Sequence, residues 1–174
     1  MPVERTAFGR ADYLKTAEYR HVSDVAERLL EHLNSPEIQA LIATADRPGE
    51  PSHGIQIAFQ PFAAELGFRD ESKGLFAAYE SAVRPDYYLP LGDSGILLEV
   101  ERGKTVRNNM DYLDFWKCHI CEHAHYLFLL VPRSLRHNPE MRPANEYAAV
   151  CRRLKTFFVP RNYTNVRGLF VFGY

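Results

Sequence analysis

The chain has 174 residues, of which 46% are hydrophobic, 25% charged and 13% aromatic, an ordinary globular composition that excludes a low-complexity or largely disordered protein. Lys plus Arg is 21 against 22 Asp plus Glu, a net charge of −1, so bulk attraction to a polyanion is excluded and any such binding falls to local patches. The apolar segment Tyr126 to Pro132 is far too short for the ~20 residues of a membrane-spanning helix, so no membrane partner is expected.

The first residues, Met-Pro-Val-Glu-Arg, carry neither an apolar core nor a small-residue cleavage site, and a cytoplasmic location is expected. Three cysteines, an odd number in such a context, read as reduced thiols. Among the 21 cations 16 are Arg, a bias toward the planar fork that grips phosphate and carboxylate at two points.

In chain order, Ser23 and Asp24 read as caps of a first helix carrying Val25, Leu29, Leu30 and Leu33, stopped at Asn34-Ser35-Pro36. A short second helix is expected from Ile38 to Ala45. After the loop Arg47 to Pro51, Ser52 caps a third, with Ile55, Phe59, Phe62, Ala63 and Leu66 on one face and Gly67 at its end.

The period then changes. Leu75–Tyr79, Asp86–Leu89 and Ile96–Glu101 read as three strands, the last two joined by Pro90-Leu91-Gly92-Asp93-Ser94-Gly95 as an antiparallel hairpin. Asn108 or Asn109 caps a helix through about Glu122. Tyr126–Pro132 is a strand buried on both faces, Pro143–Phe158 a helix with Tyr147, Val150, Cys151 and Leu154 inward, and Leu169–Phe172 a terminal strand. That strand is expected to lie against its own sheet, because an unpaired Leu-Phe-Val-Phe edge would invite aggregation, and any homodimer is expected to use another surface.

Strand alternation puts Glu99 and Glu101 on one face and Ile96, Leu98 and Val100 on the other, while the hairpin folds Asp86 back beside Glu99. Three clustered carboxylates repel one another, and a hard divalent cation with oxygen ligands relieves the repulsion, which points to metal-dependent phosphodiester chemistry. The alternative is the solvent face of an edge strand, with the acids paired to Arg84, Arg102 or Arg107.

The run Arg84-Pro85-Asp86-Tyr87-Tyr88-Leu89, a turn, and Ile96-Leu97-Leu98-Glu99-Val100-Glu101, flanked by a helix and a buried strand, resembles the PD-(D/E)XK nuclease superfamily. Many type II restriction endonucleases and repair or recombination nucleases belong to it. The matching stretch runs from Ser52 to Pro132. The resemblance implies an α/β (α+β) fold with an αβββαβ core, a mixed sheet flanked by helices, here preceded by an N-terminal helical extension. One unit is expected over 1–174: extension 1–51, nuclease-like core 52–132, and a C-terminal helix and strand in 133–174. It further implies a DNA endonuclease using Mg²⁺ or Mn²⁺, with Asp86 and Glu99 as the metal-binding acids. Glu101 stands where the family usually has lysine, as an acid does in some members, and would add a metal ligand or orient water. A catalytically inactive nuclease-fold module that binds nucleic acid or a protein partner is the other reading.

Lys104, just past the strand, or Lys117 on the following helix could replace the missing lysine; Lys104 is the more direct. Each could equally be a solvated cation. Glu65 and Glu80 are candidate extra acids or surface charge. The sequence from Cys118 to His125 has zinc-ligand residue types, but on a helix Cys118/Cys121 and His119/His123 face apart, so the cysteines read as core. Phe115 and Trp116 are expected to pack that helix on the sheet. For DNA the candidates are Arg84, Arg102, Arg107, Arg133, Arg136, His137, Arg142, Arg152, Arg153, Lys155 and Arg161, set against a solvated helix face.

Overall fold

The computed structural model describes residues 1–45, 53–70, 74–81, 84–103, 105–135 and 143–174. Its elements are β1 (Glu4–Gly9), α1 (Ala17–Leu33), α2 (Pro36–Ala45), α3 (His53–Glu65), β2 (Arg69–Asp70), a 3₁₀ turn (Leu75–Ala78), β3 (Tyr87–Leu91), β4 (Ser94–Val100), α4 (Met110–Ile120), β5 (Tyr126–Val131), α5 (Glu146–Leu154) continuing as a 3₁₀ turn (Lys155–Phe158), and β6 (Gly168–Gly173). The strands form one mixed sheet in the order β1-β6-β5-β4-β3-β2, with β4-β5 and β5-β6 parallel and the other pairs antiparallel. No helix among the described residues is long and apolar enough to cross a membrane.

The sheet separates two apolar layers. Ile96, Leu98 and Val100 with Tyr126, Phe128, Leu130, Phe170 and Phe172 pack against α1, α2 and α3. Leu97, Leu127, Leu129, Leu169 and Val171 meet Phe115 and Cys118 of α4 and Tyr147, Val150 and Leu154 of α5. Because β4, β5 and β6 are covered on both sides, all their residues are buried, and each such Phe or Leu contributes about 1.5–3 kcal/mol. The αβββαβ order is present as α3-β2-β3-β4-α4-β5.

Several expectations are corrected. The N-terminal segment is not purely helical: β1 pairs with β6, a half-polar edge strand whose Arg5 reaches Glu27 of α1 at 2.7 Å. Helix α1 begins at Ala17, six residues before the expected cap Ser23, and is capped by Thr16, whose hydroxyl accepts from Tyr19 N–H at 3.1 Å; Ser23 lies inside it and donates back to the Tyr19 carbonyl. Leu75–Ala78 is a 3₁₀ turn and not a strand, its Phe76 set edge-on against Tyr88 with centroids 5.5 Å apart; the first of the three core strands after α3 is the two-residue β2. The hairpin turn is only Gly92-Asp93, with Gly92 at φ +60°, so Pro90 and Leu91 extend β3. Trp116 is 51% exposed, leaving Phe115 as the core contact, and Asn109 precedes α4 in the left-handed region without a side-chain cap bond.

As expected, α3 gives way to a left-handed Gly67 at φ +96°, with Phe68 N–H returning to the Ala63 carbonyl at 2.9 Å. Ser52 and the Arg47 to Pro51 loop lie outside the described residues, as do Lys104, Arg136, His137 and Arg142. Strand β6 lies inside the sheet, between β1 and β5.

Candidate acid cluster at the end of β4

The site forms where β3 begins and β4 ends. The ladder sets Tyr87 opposite Leu98, so one step outward Asp86 meets Glu99. There side chains replace the ladder bonds: Val100 N–H donates to Asp86 Oδ2 at 2.8 Å, and Asp86 N–H donates to Glu99 Oε2 at 3.3 Å. Asp86 is thus tied to the β4 backbone at Val100, and Glu99 to the backbone of Asp86.

Glu99 shares the α4 side of the sheet with Leu97, and it is only 3% exposed because β4 lies inside the sheet, not at its edge. The edge-strand reading of this acid therefore fails. Its partner comes from the helix expected to follow: Lys117 donates to Glu99 Oε1 at 2.9 Å and lies 2.8 Å from Asp114 Oδ1. Asp114 is fully buried, and neither of its oxygens has a well-aligned hydrogen bond. Asp114 is a fourth acid, beyond those the hairpin pattern points to, and its i, i+3 spacing to Lys117 puts both on one side of α4. Glu101 is held by its backbone, its N–H on the Leu130 carbonyl and its carbonyl taking the Tyr174 hydroxyl, both at 2.8 Å.

Four carboxyl groups around one ammonium make a strained electrostatic set. Burial, reinforced by the Asp114 charge, pushes Glu99 well above the usual carboxylate range, and burial likewise raises Asp114. Glu101 is pushed up to about 8 by burial and by Asp114 beside it. Burial works against the Lys117 charge, but Glu99 and Asp114 override it and raise its pKa.

The donor set, carboxylate oxygens only, suits a hard divalent cation in kind and charge. With Lys117 between Glu99 and Asp114, no group of three or more His, Cys, Asp or Glu among the described residues is gathered as a ready cation cage.

The remaining candidates scatter. Arg84, Arg107 and Arg152 are exposed, and Arg102 is half-buried with a partner. Arg133 pairs with Glu4 and the Pro2 carbonyl, and Arg153 with Asp111. Lys155, at the end of α5, and Arg161, beyond the 3₁₀ turn that follows it, are exposed, and Glu65 faces Arg28 at 3.8 Å, while Glu80 is an exposed acid. The Cys and His side chains after Trp116 have separate partners: Cys118 Sγ on the Ala124 carbonyl, Cys121 accepting from His123 N–H, His119 beside Thr164, and His123 Nδ1 2.7 Å from Tyr79 Oη.

The topology and its flanking layers define the restriction endonuclease-like fold. The chain is similar to restriction endonuclease BglII complexed with a DNA 16-mer, with a TM-score of 0.50 and 10% sequence identity, over 99% of this chain and 78% of that one. No protein-family model matches the chain, and no curated protein matches it.

Proposed function

We propose that the protein is a metal-dependent DNA endonuclease whose site is the acid cluster at the end of β4. The observation that carries this reading is the pairing of Asp86 with Glu99 across neighbouring chain segments, Glu99 accepting from the Asp86 N–H and Asp86 from the Val100 N–H, with Lys117 closing on Glu99. Asp86 and Glu99 would hold Mg²⁺ or Mn²⁺, with Glu101 as a further ligand or as the group that orients water. Held there, the cation would supply the lowering of the pKa of water and the polarisation of the phosphoryl oxygens. Lys117 is the cation best seated to balance charge developing on the phosphate, and Lys104 is the alternative. Arg84, Arg102 and Arg107 flank the same end of the sheet and supply phosphate contacts, and the DNA on which the structural neighbour was solved supports the choice of substrate. A site of this kind cuts one strand, so concerted cleavage of a duplex would take two copies.

The test incubates the protein with plasmid and short duplexes in Mg²⁺ or Mn²⁺, beside Asp86→Ala. Cleavage lost in the variant is expected; cleavage that survives it removes this site. The second reading, a non-catalytic nucleic-acid or protein-binding module, is favoured by one feature: the Lys117 ammonium already compensates Glu99 and Asp114. Calorimetry separates the two, since a module of that kind binds DNA or a partner without taking up Mg²⁺ or Mn²⁺.

A further inference from the structure

Arg153, in the last turn of α5, reads in the sequence as a solvent or DNA contact. Its guanidinium is instead turned inward onto the first turn of α4. Nε lies 2.8 Å from Asp111 Oδ2, and Nη2 donates to Asp111 Oδ1 at 3.2 Å and to Asn109 Oδ1 at 2.7 Å. The same group covers the Tyr112 ring, with Cζ 4.0 Å from its centroid. Three residues that start α4, the left-handed Asn109, the fully buried Asp111 and Tyr112, converge on one side chain from a different helix.

That convergence bears on the acid cluster through helix geometry. Asp111, Asp114 and Cys118 lie at i, i+3 and i+7 and are all buried, so they form the face α4 turns to the sheet. Lys117 sits less than two turns beyond Asp111. In a rod that rises 1.5 Å and turns about 100° per residue, a small slide or rotation at Asp111 is carried whole to Lys117. The bond from Lys117 to Glu99 is 2.9 Å long, so such a displacement either is taken up by the lysine stem or lengthens the bond. A planar fork that grips a carboxylate at two atoms and an amide at a third fixes both the slide and the rotation, which a point charge cannot.

We infer that Arg153 is a positioning residue: its grip on Asn109 and Asp111 sets the seat of α4, and through α4 it presents Lys117 and Asp114 to Glu99. The importance of that seat rests on the acid cluster being the functional site, but the seat itself is measured without metal or DNA.

The experiment follows acylation of lysine amines by an amine-reactive reagent under native conditions, quantified by peptide mass spectrometry in the intact protein. Lys117 is compared with the exposed Lys15 in wild type, Arg153→Ala, Arg153→Lys and Leu29→Ala; the last removes a fully buried side chain from the opposite layer. Lys117 should acylate about fivefold faster or more in Arg153→Ala, as expected when roughly a kcal/mol of local protection is lost, and to an intermediate degree in Arg153→Lys. Lys15 should keep its rate throughout, and Leu29→Ala should leave Lys117 as protected as in wild type. An unchanged Lys117 rate in Arg153→Ala, or in Arg153→Lys should the alanine variant fail to fold, overturns the inference; so does an equal rise in Leu29→Ala. A Mn²⁺ titration of wild type is read separately, because absence of cation binding there would end the nuclease reading and leave the seat of α4 as measured.

Discussion

Lys117 of α4 and Glu99 of β4 form an ion pair at 2.9 Å in which the carboxylate is 3% exposed and the ammonium is the cation paired with it among the described residues. Pairs of this kind are costly to break from one side, because the surviving charge stays buried. Lys117→Met should lower stability by about 3–5 kcal/mol near neutral pH, measured by urea unfolding, and Glu99→Gln in the same chain should recover part of the loss. A single variant as stable as wild type would mean the pair is not buried in solution.

The pH dependence has a definite sign. Glu99, Glu101 and Asp114 are raised above their ordinary values of 4.5, 4.5 and 3.8, so the folded protein keeps protons that the unfolded chain releases. Stability must then fall as pH rises from those ordinary values through the folded ones. His32 and His125, lowered by burial, act oppositely near and below 6.5, so the decline is read between pH 7 and 8, where Glu101 at about 8 contributes about 1 kcal/mol. A cation that replaces those protons should raise the melting temperature more at pH 8 than at pH 6. Thermal scans with and without Mn²⁺ at the two values check this, and a larger shift at pH 6 would contradict it.

Gly95 is fixed by contact and Gly92 by conformation. A Cβ at Gly95 would stand 2.8 Å from the Leu89 carbonyl oxygen and 2.9 Å from that of His123, both backbone atoms that cannot yield. Gly95→Ala should cost about 1–3 kcal/mol in chemical denaturation. Gly92, at φ +60° in open space, should accept Asn with a much smaller loss, since Asn tolerates the left-handed region.

Strand β6 carries Leu169, Phe170, Val171 and Phe172 into both apolar layers and bonds β1 on one side and β5 on the other. Removing Leu169 to Tyr174 would open two strand edges and take the Tyr174 hydroxyl from the Glu101 carbonyl. The expected outcome in expression trials is insoluble protein. A soluble truncated monomer with the parent melting temperature would contradict this account of the core.

Local sequence pattern determined much of this fold. The continuous apolar run Tyr126 to Val131, six residues ending before Pro132, fits a strand covered on both faces, and period-two alternation from Ile96 to Glu101 puts Glu99 on the face opposite Leu98. Asp86 beside Glu99 followed from hairpin pairing, although the turn proved shorter, because Gly92-Asp93 suffices to reverse the chain. Other features depended on partners distant in the chain. Glu4–Gly9 is a strand because β6, more than 150 residues later, offers an edge to a segment with little periodicity of its own. Leu75–Ala78 reads as a strand by its apolar run but forms a 3₁₀ turn, in which Phe76 packs edge-on against Tyr88. Asp114 becomes the fourth acid, and Arg153 an internal clamp rather than a surface charge, only where α4 is laid across β4 and α5 across α4. Backbone pattern is local and can be read residue by residue, whereas the burial of a charge and the identity of its partner are fixed only when separate elements pack.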